Sequence, residues 1–392
     1  MNQLKEQATI QHVFEEVERQ KNKTAVTGET WEIPASRYTS SKQLAAERKT
    51  IFQNFPTVVG SVAELEKAGD YFLHDYAEVP IMVIKGKDEK IRAFLNICRH
   101  RGVRLVEEKR GHIKRNIVCP YHAWSYDTAG CLKRVFHAEA FGDVNADSHS
   151  LIELDCQVRL GLIFVVPNPK LKGQYDIDVY LKEVTAITNG YGFENWVPFK
   201  RLIKTNPFNW KLGIEGGLEA YHFKIAHAKS LGPYVFDCGG IAFEDNKLHF
   251  ATIYPKTAIL KLKEIPKEQW NLRQYGNILI HIFPNTTFLI MEDHVMVLPM
   301  FPLDEKTNIS ESFLLIPKKA ETEAEQQHFQ MNYDIFWNTI NEDNEMNILQ
   351  QQSFNSYDDF NMKIGGYETL LLKFSNLVQE AIDGKLQLTD FQ

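Results

Sequence analysis

The sequence predicts an α+β chain in two parts: a small all-β domain, then a larger domain in which a twisted antiparallel sheet grips a helix. Three observations carry this expectation. Between about Val79 and Val166, short apolar runs alternate with turn signals, the pattern of short strands. After the stop at Pro167-Asn168-Pro169 the apolar period lengthens to that of helices. Between Leu248 and Pro317 long strands return as "YGNILIHIF", "HVMVLPMF" and "ISESFLLIP", and charged, helix-favouring sequence follows them. Long antiparallel strands with helices at one side bury one face each in such an architecture.

The elements follow in order. "MNQLKEQATIQHVFEEVERQKNK" reads as a short amphipathic packing helix with Ile10, Val13, Phe14 and Val17 on one face. "VPIMVIKG" and "IRAFLNIC" flank "KDEK" as a hairpin, and "HAWSYD" and "CLKRV" flank Thr128-Ala129-Gly130 as another. "LIELDCQVRLGLIFVVP" supplies two further strands. "DIDVYLKEVTAI" is helical by spacing, with Asp176 as its cap. "FNWKLGIEGGLEAYHFKIAH" also reads as helix, as does the stretch from Lys318 to about Gln352. A last helix, Tyr367 to Asp383, carries Leu370, Phe374, Leu377, Val378 and Ala381 on one stripe and stops at Gly384. Residues 1–50 are expected as N-terminal helices packing on the larger domain, 51–166 as the β domain, and 167–392 as the larger domain.

Bulk properties narrow the class. A hydrophobic content of 44% with 24% charged residues is that of a globular protein rather than a disordered one. The net charge of −7, with no basic run, argues against a nucleic-acid partner. No apolar stretch approaches the roughly 20 residues that span a bilayer. The N-terminal stretch lacks the apolar segment of a signal peptide, so a cytoplasmic chain is expected. The five cysteines, an odd number, argue against a disulfide framework and for thiolates that serve a metal.

Two stretches pair a soft thiolate with an imidazole: "NICRHRGVRL", Asn96 to Leu105, and "CPYHAW", Cys119 to Trp124. Common zinc fingers group the two Cys and the two His separately, whereas each loop here holds one of each. A [2Fe–2S] cluster with two thiolates on one iron and two imidazoles on the other suits two such loops, and its lower negative charge makes it an easier electron acceptor. A structural zinc site, or plain burial, is the alternative.

A second constellation lies in "NWKLGIEGGLEAYHFKIAH", Asn209 to His227. Glu219 and His222 are three apart and share a face if the segment is helical. His222 and His227 are five apart and diverge by about 140° on a regular helix, so the helix must end or bulge between them to bring them together. Gly213, Gly216 and Gly217 fit an irregular segment. Two imidazoles and one carboxylate with open positions form the ligand set of oxygen-activating Fe(II). "NEDNEMNILQQQ", Asn341 to Gln352, offers Glu342, Asp343 and Glu345, which on their own also fit a solvated helix face.

Residues 98–124 resemble the Rieske domain of ring-hydroxylating and related Rieske non-haem iron oxygenases. "NWK…E-A-Y-H-x4-H" resembles that family's iron-binding helix. The resemblance runs from about Tyr38 into the C-terminal helices and is concentrated in residues 96–124 and 209–227. It implies that Cys98 and Cys119 hold one iron of a [2Fe–2S] Rieske cluster and His100 and His122 the other. It implies a mononuclear Fe(II) on His222, His227 and Asp343, with Glu342 and Asp334 as fallbacks and Gln351 eight residues beyond Asp343. Cys131, Cys156 and Cys238 fall outside the motif as plain strand residues.

The same resemblance implies a helix-grip, START-like catalytic domain and a homotrimer. Glu219 would be an inter-subunit electron bridge between His222 and the partner subunit's His122. The family usually has Asp at that position. Glu occurs in the carnitine, choline and betaine-type monooxygenase branch, which points to a small polar or quaternary-amine substrate. The Asn often found before this segment is Gly216 here, so a polar side chain is missing there. The chain carries no GxGxxG, so an NAD(P)H-dependent reductase, with or without a ferredoxin, would act in trans. With O2, the products would be those of mono- or dioxygenation or of oxidative demethylation. The rival class is a Rieske electron-transfer or sensor protein with a non-catalytic ligand-binding domain, and a zinc-stabilised binding protein is a third. Phe283, Met291, His294 and Met300 are the candidates for pocket walls.

Overall fold

The computed structural model describes residues 3–22, 30–237 and 248–392. The chain divides into two compact units, Arg48–Tyr180 with Gln387–Gln392, and Met1–Glu47 with Leu181–Leu386. The break in "DIDVYLKEVTAI" falls at this division: Ile177–Tyr180 and Lys182–Thr188 are separate helices, and the Asp176 carboxylate accepts from the Asp178 N–H at 2.7 Å.

The first unit is all-β apart from short helices. A seven-stranded antiparallel sheet runs in the order Thr57–Ser61, Leu162–Val166, Glu153–Arg159, Ile91–Leu95, Ile81–Lys85, Asp70–His74, Arg110–His112. The "KDEK" hairpin pairs Val83 with Ala93. The hairpin after Arg159 turns on Leu160 and Gly161, both at positive φ, as a two-residue turn demands. A second, three-stranded sheet joins Ile117–Val118, Ser125–Tyr126 and Leu132–Arg134. Tyr71, Met82, Phe94, Ile117, Trp124 and Tyr126 form a core that takes in Cys98 and Cys119 themselves. Cys131 sits in the turn before Leu132, Cys156 lies in the strand Glu153–Arg159 with its thiol pushed up to about 12 by burial, and Cys238 lies outside the described residues.

The Thr128-Ala129-Gly130 turn is clamped from inside. The Asp127 carboxylate accepts from the N–H groups of Ala129 and Cys131 at 2.9 and 3.0 Å. Gly130 has φ +83°, and a Cβ there would lie 2.5 Å from the Phe94 ring. Gly130→Ala is therefore expected to cost about 2–4 kcal/mol, from the left-handed backbone and the overpacked ring together. A wild-type urea midpoint in that variant would show that the turn relaxes freely.

In the second unit a six-stranded antiparallel sheet runs Val197–Asn206, Thr307–Ile316, Val295–Asp304, Thr286–Ile290, Gly276–Ile282, Phe250–Pro255. The helix Glu323–Ser356 opens with a Thr322/Glu325 capping box and lays Tyr333, Phe336 and Trp337 on Met296, Leu298 and Leu314 of the sheet. Further along the same stripe its buried residues turn polar, with Asn344, Asn347 and Gln351. The helix Gln3–Lys21 buries Ile10, Val13, Phe14 and Val17, and Phe14 meets Trp270 edge-on at 5.4 Å. The helix Thr369–Ile382 buries the expected stripe, and Gly384 follows at φ +73°. Among the described residues no helix is long and apolar enough to cross a membrane.

The expected helix over 208–227 is not continuous. It runs from Trp210 to Glu215, tightens into a 3-10 turn at Gly216–Leu218, and gives way to extended backbone at Glu219 (φ −140°, ψ 160°). A short helix, Phe223–Ala226, follows. Two adjacent glycines remove helix propensity, so tertiary contacts decide the path. The first piece is fixed by Asn209 at its N-cap, whose own N–H donates to Gln351 Oε1 at 2.8 Å. It is fixed too by buried Glu47, which takes the Lys211 ammonium at 2.6 Å and the Trp210 indole N–H at 2.8 Å. Gly213 lies so close to Met300 that a Cβ would meet its sulfur at 2.6 Å.

Candidate metal centres

The two Cys/His loops fold alike. The Cys98 N–H donates to the Val103 carbonyl and the Cys98 carbonyl accepts from Gly102 N–H, at 2.8 and 3.0 Å. The Cys119 N–H donates to Trp124 O and the Cys119 carbonyl accepts from Ala123 N–H, at 2.8 and 3.1 Å. In both loops the residue four after the cysteine has positive φ, +77° at Gly102 and +57° at Ala123. Each loop thus presents its cysteine inward and its histidine further out: both thiols are buried, and both imidazoles are partly exposed.

The surroundings suit a cluster. The rings of His100 and His122 stand 4.7 Å apart, and each keeps a buried Nδ1 without a hydrogen-bond partner. An orphaned buried nitrogen is costly unless something binds it, and a metal is such a partner. Burial together with His122 and Arg101 lowers the His100 pKa and favours the neutral imidazole a metal needs. Trp124 stacks on His100 at 5.0 Å, and the Tyr126 hydroxyl lies 3.5 Å from Cys98 Sγ while accepting from the Arg99 N–H. A tetrahedral zinc would draw four donor atoms to within about 4 Å of one another. Among the described residues the one group of three or more such side chains within 4.8 Å is His222, His227 and Asp343, so these four are spread too widely for a single zinc.

In the second group the two histidines flank one short helix that starts after the break at Gly216–Glu219 and stops at His227. The chain thus ends its helical turn at the second ring and does not bulge between the two. His222 stands at the start and His227 at the end of the short helix Phe223–Ala226, and their rings turn toward one another. Their Nε2 atoms are 3.2 Å apart, and Asp343 Oδ1 lies 3.4 Å from His222 Nε2 and 3.0 Å from His227 Nε2. Donors about 2.1 Å from a shared ion and at right angles to each other stand about 3.0 Å apart, so the three could hold one face of an octahedral ion and leave the rest open. Burial disfavours charged imidazoles, but Asp343 and Glu219 outweigh it and push His222 up to about 9. Burial raises the Asp343 carboxyl, and the hydrogen bonds of the two imidazoles more than offset it and hold it low.

The remaining acids take distinct places. Glu219 does not share a helix face with His222, as its spacing suggested. From its extended position its carboxylate accepts from the His222 ring at Nδ1 and from the N–H groups of Tyr221 and His222, so it fixes the turn that leads into the second helix and holds the ring at once. Glu342 Oε2 lies 2.6 Å from His227 Nδ1 and 2.5 Å from Ser230 Oγ, on the side of the imidazole away from Asp343. Burial raises the Glu342 carboxyl, but Ser230 and His227 hold it below the usual range. Nothing in the sequence marked Ser230. Asp334 is exposed, bonds Gln330 and lies away from the group. Glu342→Ala should free the His227 ring and weaken metal binding about 10–100-fold, read by competition with a chelator. An unchanged affinity would assign Glu342 to the surface alone.

A cavity of about 410 Å³ opens on His227 and Asp343, with Phe223, Leu279, Met291 and Phe336 among its walls. His294 lines it as well, whereas Phe283 and Met300 are core. A second cavity of about 350 Å³ opens on His222, Glu219, Glu215 and the other side of Asp343. Gly216 lines both, and a Cβ on it would meet nothing within 4 Å.

Comparison with known proteins matches residues 55–145 to the Rieske [2Fe-2S] domain and residues 193–384 to the catalytic domain of the ring hydroxylating alpha subunit. The chain is 29% identical to the carnitine monooxygenase oxygenase subunit of Escherichia coli (strain K12) over 201 residues, 51% of this chain and 53% of that protein. It is 31% identical over 205 residues to the glycine betaine monooxygenase oxygenase subunit of Chromohalobacter salexigens, 52% of this chain and 44% of that protein. The chain thus spans about half the length of the curated relatives it matches. The crystal structure of a quaternary ammonium Rieske monooxygenase shares the fold, with a TM-score of 0.76 at 21% identity over 90% of this chain and 95% of that one.

Proposed function

We infer, from a chain that belongs to the alpha subunits of the Rieske oxygenases and joins a Rieske [2Fe–2S] domain to a ring-hydroxylating catalytic domain, that it is the oxygenase component of a Rieske non-haem iron system. Cys98, Cys119, His100 and His122 hold the cluster, and His222, His227 and Asp343 hold one Fe(II). The observation that carries this reading is the convergence of those last three residues within 4.8 Å at the wall of an apolar cavity. The two metal groups together supply electrons and a site for O2.

The chain's own residues do the rest. Glu342 and Glu219 each hold the Nδ1 side of one imidazole, which fixes the ring and turns both Nε2 atoms inward, toward Asp343, where a metal would take them. The apolar walls exclude water and hold a small organic substrate beside the open face. The Glu219 carboxylate, bonded to the His222 ring, and the partly exposed His122 ring suit an electron bridge between His222 and the partner subunit's His122. Exposed Tyr121 and Tyr221, 54% and 66% accessible, are the kind of rim that a subunit interface covers. A homotrimer is the assembly proposed, with an NAD(P)H reductase, with or without a ferredoxin, in trans and the cytoplasm as its compartment. The named relatives favour a monooxygenase of quaternary amines over a dioxygenase.

The test is metal analysis followed by oxygen uptake. About three irons and two sulfides per chain are required. With a reductase, uptake should then be stimulated by quaternary amines, aromatic acids or N- and O-methyl compounds. Two irons per chain and no stimulated uptake would leave an electron carrier.

A further inference from the structure

We propose that Glu215 is the proton-holding residue of the iron-facing second cavity, storing a proton inside the protein for oxygen chemistry at the neighbouring metal site. The proposal rests on the oxygenase reading above. Glu215 ends the helix Trp210–Glu215, is 3% exposed, and shares the cavity wall with Glu219, His222 and Asp343.

The charges around it decide its state. Lys211, Glu47 and Glu215 are all buried. The Lys211 ammonium is committed to Glu47 Oε1 at 2.6 Å, and Glu47 also takes the Trp210 indole N–H at 2.8 Å and the Gln43 amide at 3.3 Å. Glu215 has the Tyr38 hydroxyl, 2.8 and 3.0 Å from its two oxygens. One buried ammonium cannot compensate two buried carboxylates, and an acid left over takes up a proton rather than remain an unpaired charge. Glu47 holds the better partners, so the proton falls to Glu215. Tyr38, Lys211, Arg37 and Glu47 act on it directly, and Glu219, His222, Asp343, Lys363 and Glu368 line the same cavity; Arg37 is itself bonded to Ser375 Oγ at 2.7 Å. Burial outweighs Lys211 and Arg37 and pushes Glu215 up to about 8. Glu219 has a different task, because the His222 ring and two backbone N–H groups already donate to its carboxylate and hold it as the ring's partner.

The reaction needs such a store. Inserting one oxygen atom converts a C–H bond, O2, two electrons and two protons into C–OH and water. The reductase supplies the electrons, and the protons must reach the metal site past the side chains that line its cavities. Glu215 gives its O–H proton to water in the cavity, becomes a carboxylate held by the Tyr38 hydroxyl and the field of Lys211, and is refilled from solvent before the second transfer.

Infrared difference spectra of the full chain between pH 6 and pH 10 give the readout that needs no turnover. A protonated-carboxyl C=O band titrating near pH 8 should be present in wild type and absent in Glu215→Gln, which keeps an acceptor for Tyr38. In the reconstituted system Glu215→Gln should lose about 10²-fold in product formation, release more hydrogen peroxide per O2, and lose the alkaline limb of the pH profile. Glu215→Asp should recover part of the rate. No band in wild type, or a Glu215→Gln variant with wild-type rate, peroxide and pH profile, overturns this proposal alone. A wild-type chain that oxidises no substrate overturns the oxygenase reading, and the use of the proton with it.

Discussion

Asp343→Ala is expected to lose about one iron per chain while the two irons of the cluster remain, and product formation should fall at least about 10³-fold. Asp343 Oδ1 is the anionic donor of its group, 3.0 Å from His227 Nε2 and 3.4 Å from His222 Nε2. Without it two neutral rings face the ion, which loses one of three ligands and the one that carries a compensating negative charge. Glu342 cannot stand in, because its carboxylate lies against the Nδ1 side of His227 and is tied to Ser230. The visible absorption of the cluster should be unchanged, which separates ligand loss from misfolding. Full iron content with wild-type turnover would remove Asp343 from the site.

Glu219→Ala should show the opposite combination: both metal groups loaded and turnover reduced by at least about 10²-fold. The carboxylate holds the His222 ring and the backbone N–H groups of Tyr221 and His222, so its removal loosens an orientation more than it removes a ligand. Glu219→Gln keeps an acceptor for the ring and should retain more activity than Ala. Rapid mixing of the reduced variant with O2 and substrate gives the sharper result, since a bridge defect leaves the cluster reduced. Prompt reoxidation at the wild-type rate would rule out the bridge.

How far these residues could be read from the chain depended on whether the signal was local. The Cys/His pairs lie within a few positions of one another, and a strand-and-turn pattern surrounds them, so both the loops and the β architecture were legible. The common backbone pattern of the two loops was not, because Gly102 and Ala123 reach the same positive φ from different residue types. The segment 209–227 was legible as a site and misread as a helix: a stretch of a few residues around two glycines carries too little periodicity to show where the coil begins. Glu342 and Asp343 are neighbours, and on a helix neighbours point about 100° apart, so only the placement of the helix Glu323–Ser356 decides which of them faces the imidazoles. Glu215 was invisible, because an acid on a helix normally faces water, and its burial follows from Tyr38, Lys211 and Glu47 arriving from other parts of the fold.

Gly216 forms the thin wall between the chamber on the His227 side and the chamber on the His222 side, and nothing lies within 4 Å of where a side chain would start. Its backbone is ordinary right-handed helix (φ −58°, ψ −28°), so any residue can adopt it. A single methyl group can therefore be added here without meeting the side chains around it. A methyl group at position 216 would thus take space from both cavities at once while restoring helix propensity to the turn.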